Sequence, residues 1–140
     1  MDVEKLLQEL IDADDDAMLD SLLNAILDSW VYFHFNEPKG RDTKPGEGNI
    51  VVLLHTDSDN PILLPLVDNE LGLNGVIFTN SELALRLAEF NCKIGKMQGR
   101  KVFKMLFDLG NIDSVYIHGD YGKVRPNNIE FAALCAGLEL

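Results

Sequence analysis

The strongest constraint on what this chain can fold into is a change of hydrophobic period at Ser29. Before it, Leu19, Leu22, Leu23 and Ile26 fall at helical spacing over about Ala17 to Leu27. After it, Trp30, Tyr32 and His34 alternate with Val31, Phe33 and Phe35, the period-two pattern of a strand over Ser29 to Asn36. A helix running straight into an aromatic strand calls for a layered fold in which helices cover a sheet.

The rest of the chain extends that reading. Val3, Leu6, Leu7, Leu10 and Ile11 predict a short amphipathic helix before the acidic cluster at Asp12, Asp14, Asp15 and Asp16, and residues 1–15 are read as an N-terminal helical extension. Pro38, Gly40, Pro45, Gly46 and Gly48 predict a loop from Glu37 to Asn49. Ile50 to Thr56 is almost continuously apolar, as in a central strand covered on both faces. Pro61 and Pro65 push Ile62 to Val67 toward an edge or irregular segment. Leu71 to Gly75 reads as a turn into a short strand, Val76 to Phe78.

Thr79 and Glu82 have capping-box spacing ahead of Leu83, Leu87 and Phe90, so a helix is expected there. Another is expected near Gly99 to Leu109, with Gly110 as its stop. Ser114 to His118 reads as a strand, Gly119 to Gly122 as a turn, and Asn127 to Ala136 as a closing helix. The expected fold class is α/β (α+β): one domain over residues 1–140, with a mixed or antiparallel sheet of about four to five strands and flanking helices.

Composition narrows the partners. The chain has 140 residues, 23 of them acidic and 12 basic, for a net charge of -11, which repels phosphate backbones and anionic lipid. Nucleic acid and membrane partners are therefore not expected; the acidity is read either as solubility alone or as attraction to a basic protein partner, and self-association stays open. No apolar run approaches the roughly 20 residues of a spanning helix, and Asp2 and Glu4 stand where a secretory leader would be basic. A cytoplasmic protein is expected, with Cys92 and Cys135 as reduced thiols in apolar surroundings.

Motifs that would carry catalysis fail on inspection. Asp12, Asp14, Asp16 and Asp20 suggest a calcium loop, but Ala17 replaces the turn glycine and Leu23 the bidentate acid. Asp57 and Asp59 read as a solvated turn before Asn60 and Pro61. No phosphate-binding glycine loop, nucleophile elbow or metalloprotease histidine pair is present. His34, His55 and His118 all fall on expected strands without ligand spacing, so no metal or organic cofactor is expected.

Two groupings remain as candidate sites. Strand alternation places Trp30, Tyr32 and His34 on one face and Tyr116 with His118 on another strand, rings with polar tips that suit an interface unless the chain's own helices cover them. Separately, Lys93, Lys96, Arg100, Lys101 and Lys104 reverse the local charge at a helix start, where Lys96, Arg100 and Lys101 are a candidate anion site.

The order of segments LDSLLNAILDSWV (Leu19 to Val31), GVIFTNSELALRLAEF (Gly75 to Phe90), Met97 to Leu109 and GKVRPNNIEFAALCAG (Gly122 to Gly137) resembles the N-terminal domain of the SseB family, named for enhanced serine sensitivity. The resemblance covers most of the chain after Asp16, and none of its motifs is catalytic. Asn80 intervenes between Thr79 and Ser81 of the family's turn, keeping its capping chemistry. Longer members carry a C-terminal domain, which is not expected within residues 1–140 of this chain. The resemblance implies a noncatalytic protein-interaction domain; a type III secretion chaperone, a toxin-immunity protein and a small enzyme with an unfamiliar site are the alternatives.

Overall fold

A computed structural model describes residues 3–13, 16–35, 49–54, 62–87, 93–110 and 112–138. The expected loop over 37–48, the end of the expected strand at His55 and Thr56, the Asp57 and Asp59 turn, Phe90 and Cys92 lie outside these residues. The elements in chain order are α1 (Val3–Ala13), α2 (Asp16–Leu27), β1 (Trp30–Phe35), β2 (Asn49–Leu54), β3 (Ile62–Asn69), β4 (Gly72–Phe78), α3 (Ser81–Arg86), β5 (Lys93–Gln98), α4 (Gly99–Asp108), β6 (Ser114–Gly119), β7 (Gly122–Val124) and α5 (Asn128–Ala136). They form an open α/β fold with a mixed sheet and flanking helices, the class expected from the sequence. Among the described residues no helix is long and apolar enough to cross a membrane.

Strand β4 is the hub. Residues Asn74 to Phe78 pair in parallel with Ser114 to His118 of β6, which occupies one edge throughout. On the opposite edge Gly72 to Asn74 pair with β3, while Phe78 pairs with Tyr32 of β1. The sheet therefore forks: β2 extends the β3 branch, β5 the β1 branch, and β7 closes the β6 side.

Period decides the two faces. Val31, Phe33, Ile77, Val115 and Ile117 point to one side and are buried beneath α1, α2, α4 and α5, which contribute Leu7, Leu22, Ile26, Val102, Phe103, Leu106, Phe131 and Cys135. The stripe expected on α2 (Leu19, Leu22, Leu23, Ile26) is buried as a unit. Residues 1–15, read as an extension, supply Leu7 and Leu10 to this same core. The other face carries a smaller cluster, Phe78 with Leu83 and Ala84 of α3.

Among the described residues seven strands form where four or five were expected, and the differences have local causes. In β5, KIGKMQ, Gly95 and Lys96 interrupt the apolar alternation, so only pairing with β1 reveals the strand. The three-residue β7 is too short to show a period. Segment β3 is a continuous strand of eight residues. Upstream of Val67 its register is with β2, Pro65 opposite Val51, and among the described residues the missing N–H interrupts no second ladder.

Among the described residues strand β2 sits at the outer end of its branch rather than at the centre; a continuous apolar run carries no information about which edges are paired. Strand β4 starts at Gly72, four residues before expectation: the turn is only Glu70 and Leu71, and Gly72 takes the left-handed φ of 110°. The cap of α3 is Asn80 rather than Thr79, its side chain accepting from the Leu83 N–H at 2.8 Å. Helix α5 is capped as read, with Asn127 and Glu130 bonding reciprocally.

Helices α2 and α4 meet at Gly99, whose N–H donates to the Ser29 carbonyl at 2.9 Å. A Cβ at this position would collide with the backbone carbonyl of Ile26, whereas one at Gly137 meets only ordinary contacts. Gly99→Ala is expected to cost about 1–3 kcal/mol of unfolding free energy, and Gly137→Ala less than about 0.5 kcal/mol. Urea denaturation of the two variants checks this; equal midpoints would mean that the α2–α4 junction yields freely.

Candidate interaction surface

Trp30, Tyr32, His34, Tyr116 and His118 all lie on the face opposite the main core, because their neighbours Val31, Phe33, Val115 and Ile117 point into it. Strands β1 and β6 are not neighbours, however. Strand β4 runs between them, and its Phe78 ring stands 4.5 Å from His34 and 5.2 Å from His118, centroid to centroid. Helix α3 then packs over this row: Nε2 of His34 donates to the Ala84 carbonyl at 2.7 Å, fixing the protonated nitrogen of the ring. The five residues thus share a face without forming one continuous patch.

Among the described residues, Trp30 and Tyr116 lie to either side of α3. On the β1 side Trp30 is 53% exposed, and the Lys96 ammonium of β5 lies 4.8 Å from its ring centre, a cation–π contact set by their diagonal register. On the β6 side Tyr116 is half-buried; its hydroxyl accepts from Nδ2 of Asn69 at 2.8 Å, and Lys123 lies over its ring at 5.2 Å. Tyr32, also half-buried, packs against the Phe78, Leu83 and Ala84 cluster.

The cations of the candidate anion site are committed separately. Arg100 donates from Nη2 and Nε to one carboxylate oxygen of Asp28, at 2.9 and 3.2 Å. Lys96 sits over Trp30, Lys101 is exposed, and the first N–H of α4 is taken by Ser29. Among the described residues no group of three or more His, Cys, Asp or Glu side chains is placed to hold a metal. Burial, and then Asp108, push the Cys135 thiol up to about 12, so it is protonated at neutral pH.

Two polar networks escaped the sequence reading. Asn74, fully buried on β4, donates to the Gly72 carbonyl at 2.9 Å and the Val67 carbonyl at 3.3 Å, and its oxygen accepts from Nε of Arg125 at 2.7 Å. Arg125 goes on to the Leu71 carbonyl (3.0 Å) and Oδ1 of Asn128 (2.7 Å), bolting the β3–β4 turn to the start of α5. At the other end of β4, the Glu4 carboxylate accepts from the Thr79 hydroxyl, Asn80 Nδ2 and the Asp120 N–H, anchoring α1. Asn74 falls within the turn that the sequence predicts over Leu71 to Gly75, where an asparagine is ordinary.

No protein-family model, curated protein or solved structure matches this chain.

Removing Arg125 strands the buried oxygen of Asn74. Arg125→Ala is expected to destabilise the domain by about 1–3 kcal/mol in chemical denaturation; an unchanged midpoint would show that water replaces the guanidinium.

His118 has its pKa lowered from the usual 6.5 by burial, by Lys123 and by His34. The folded state resists its protonation, so the unfolded chain binds more protons below pH 6.5. Stability is expected to fall as pH drops from 6.5 toward the folded pKa, and His118→Phe should flatten that part of the profile. Urea midpoints from pH 7 to 5 check both statements, and an identical profile in the variant would assign the slope to other groups.

Proposed function

We propose that this chain is a noncatalytic protein-interaction domain of the SseB-like type, with the β1–β5 flank of its sheet as the contact surface. The observation that carries the reading is Trp30, the chain's single tryptophan, more than half exposed and paired with Lys96 beside α3. Tryptophan joins a large apolar area to little conformational entropy, which is why it recurs among the residues that dominate interface energies. The resemblance of its segment order to the SseB N-terminal domain supports the assignment. A cytoplasmic setting accords with the buried, unpaired thiol of Cys135.

The test is affinity capture from native lysate with the wild-type chain and Trp30→Ala side by side, their folding compared by circular dichroism. A specific partner is expected on the wild type and should be weakened about 30-fold by the substitution, the equivalent of about 2 kcal/mol at a hot spot. Identical capture by both proteins would remove the Trp30 flank from the proposal.

A further inference from the structure

We propose that the outer edge of β5 accepts an extended acidic segment of a partner protein as an added strand. The proposal rests on the reading of this chain as a protein-binding domain and names the chemistry of what it binds. Strand β5 pairs with β1 along its whole length, from Trp30 opposite Gln98 to Phe35 opposite Lys93. Among the described residues its other edge carries no ladder. Alternate residues of an edge strand turn their N–H and C=O groups outward, and six residues span about 20 Å, the length of an ordinary strand. Such an edge is a template for strand addition, in which backbone bonds supply affinity and side chains supply selectivity.

Charge selects the occupant. Residues 93–107 hold five basic side chains and no acidic one, in a chain whose net charge is -11. At physiological salt a charge is felt over about 8 Å, so a docking segment responds to this local cationic field and not to the distant acidic surface. Arg100 and Lys104 are offset by Asp28 and Asp108. Lys96, on the strand, and Lys101, in the first turn of α4, have no carboxylate partner among the described residues. A second copy joined through its own β5 would set two such cationic segments side by side, and like charges across a ladder destabilise it. An acidic strand meets the opposite condition: its carboxylates reach Lys96 and Lys101 while its backbone completes the edge. The basic partner expected from net charge alone is disfavoured at this flank.

Trp30 is a built-in reporter, because a carboxylate that draws the Lys96 ammonium away changes the surroundings of the only tryptophan. The probe is a capped eight-residue peptide alternating glutamate with valine and threonine, titrated into the intact protein. The expected result is a saturable change in Trp30 emission, with hydrogen exchange slowed at least tenfold at alternate β5 amides. Affinity should drop at least tenfold in Lys96→Glu/Lys101→Glu. It should also drop at least tenfold on wild-type protein when the peptide's alternate amides are N-methylated, a control that needs no variant to fold.

No binding, equal binding of the N-methylated peptide, or equal binding of a lysine-containing analogue would overturn the proposal. So would a peptide-free dimer in sedimentation with β5 amides already protected, since a second copy would then own the edge. If the peptide fails while Trp30→Ala still abolishes capture of the partner, the interaction domain stands and the strand-addition edge falls. If the peptide binds as expected while Trp30→Ala leaves capture unchanged, the edge stands and the Trp30 flank falls.

Discussion

The three-way pairing of β4 is the constraint on which the rest of the structure depends. One edge of this strand belongs to β6 from Asn74 to Phe78, so β3 and β1 divide the other, and Phe78 is bonded toward both Tyr32 and His118. A parallel partner cannot be reached by a tight turn, and the chain spends α3, β5 and α4 on the crossover. Helix α3 lands on one face and α4 on the other, which gives the sheet its large core under α1, α2, α4 and α5 and its small one under α3.

Both ends of β4 are secured by polar side chains. Asn74 and Arg125 hold the N-terminal end to the turn before it and to α5, while Glu4 holds the C-terminal end to α1 and the β6–β7 turn. Buried polar groups are costly when unpaired, so networks of this kind favour a single register over its neighbours. They also explain why α1 is integral to the core: Leu7 supplies packing and Glu4, one turn earlier, supplies the anchor.

The same arrangement divides the aromatic face. Had β1 and β6 been adjacent, Trp30, Tyr32 and Tyr116 would lie together; with β4 and α3 between them, the centre becomes a small core and Trp30 and Tyr116 lie to either side of it. Among the described residues both β5 and β7 pair on one side alone, and the β1–β5 flank differs from the β6 flank in its run of basic side chains, Lys93, Lys96, Arg100, Lys101 and Lys104. The five basic side chains between Lys93 and Lys104 stand against a net charge of -11, so the sign of the local field on β5 and the start of α4 is the reverse of the chain's net sign.

By itself the sequence determined the element types and the face of most side chains, because period 3.6 and period 2 are written directly in the spacing of apolar residues. The helices, the α2 core stripe and the opposition of Trp30, Tyr32 and His34 to Val31 and Phe33 were legible on that basis. Strand order was not, since ladders are made by backbone groups that every residue shares, and alternation says which side chains face together without saying which strands meet. Strand β5 was hidden for the same reason, its lysines and Gly95 erasing the pattern that only its bonds to β1 restore. The tertiary structure alone decided that β4 separates the aromatic strands, that Asn74 meets Arg125 and that Lys96 reaches Trp30, because each of these contacts joins residues far apart in the chain through the strand order and register.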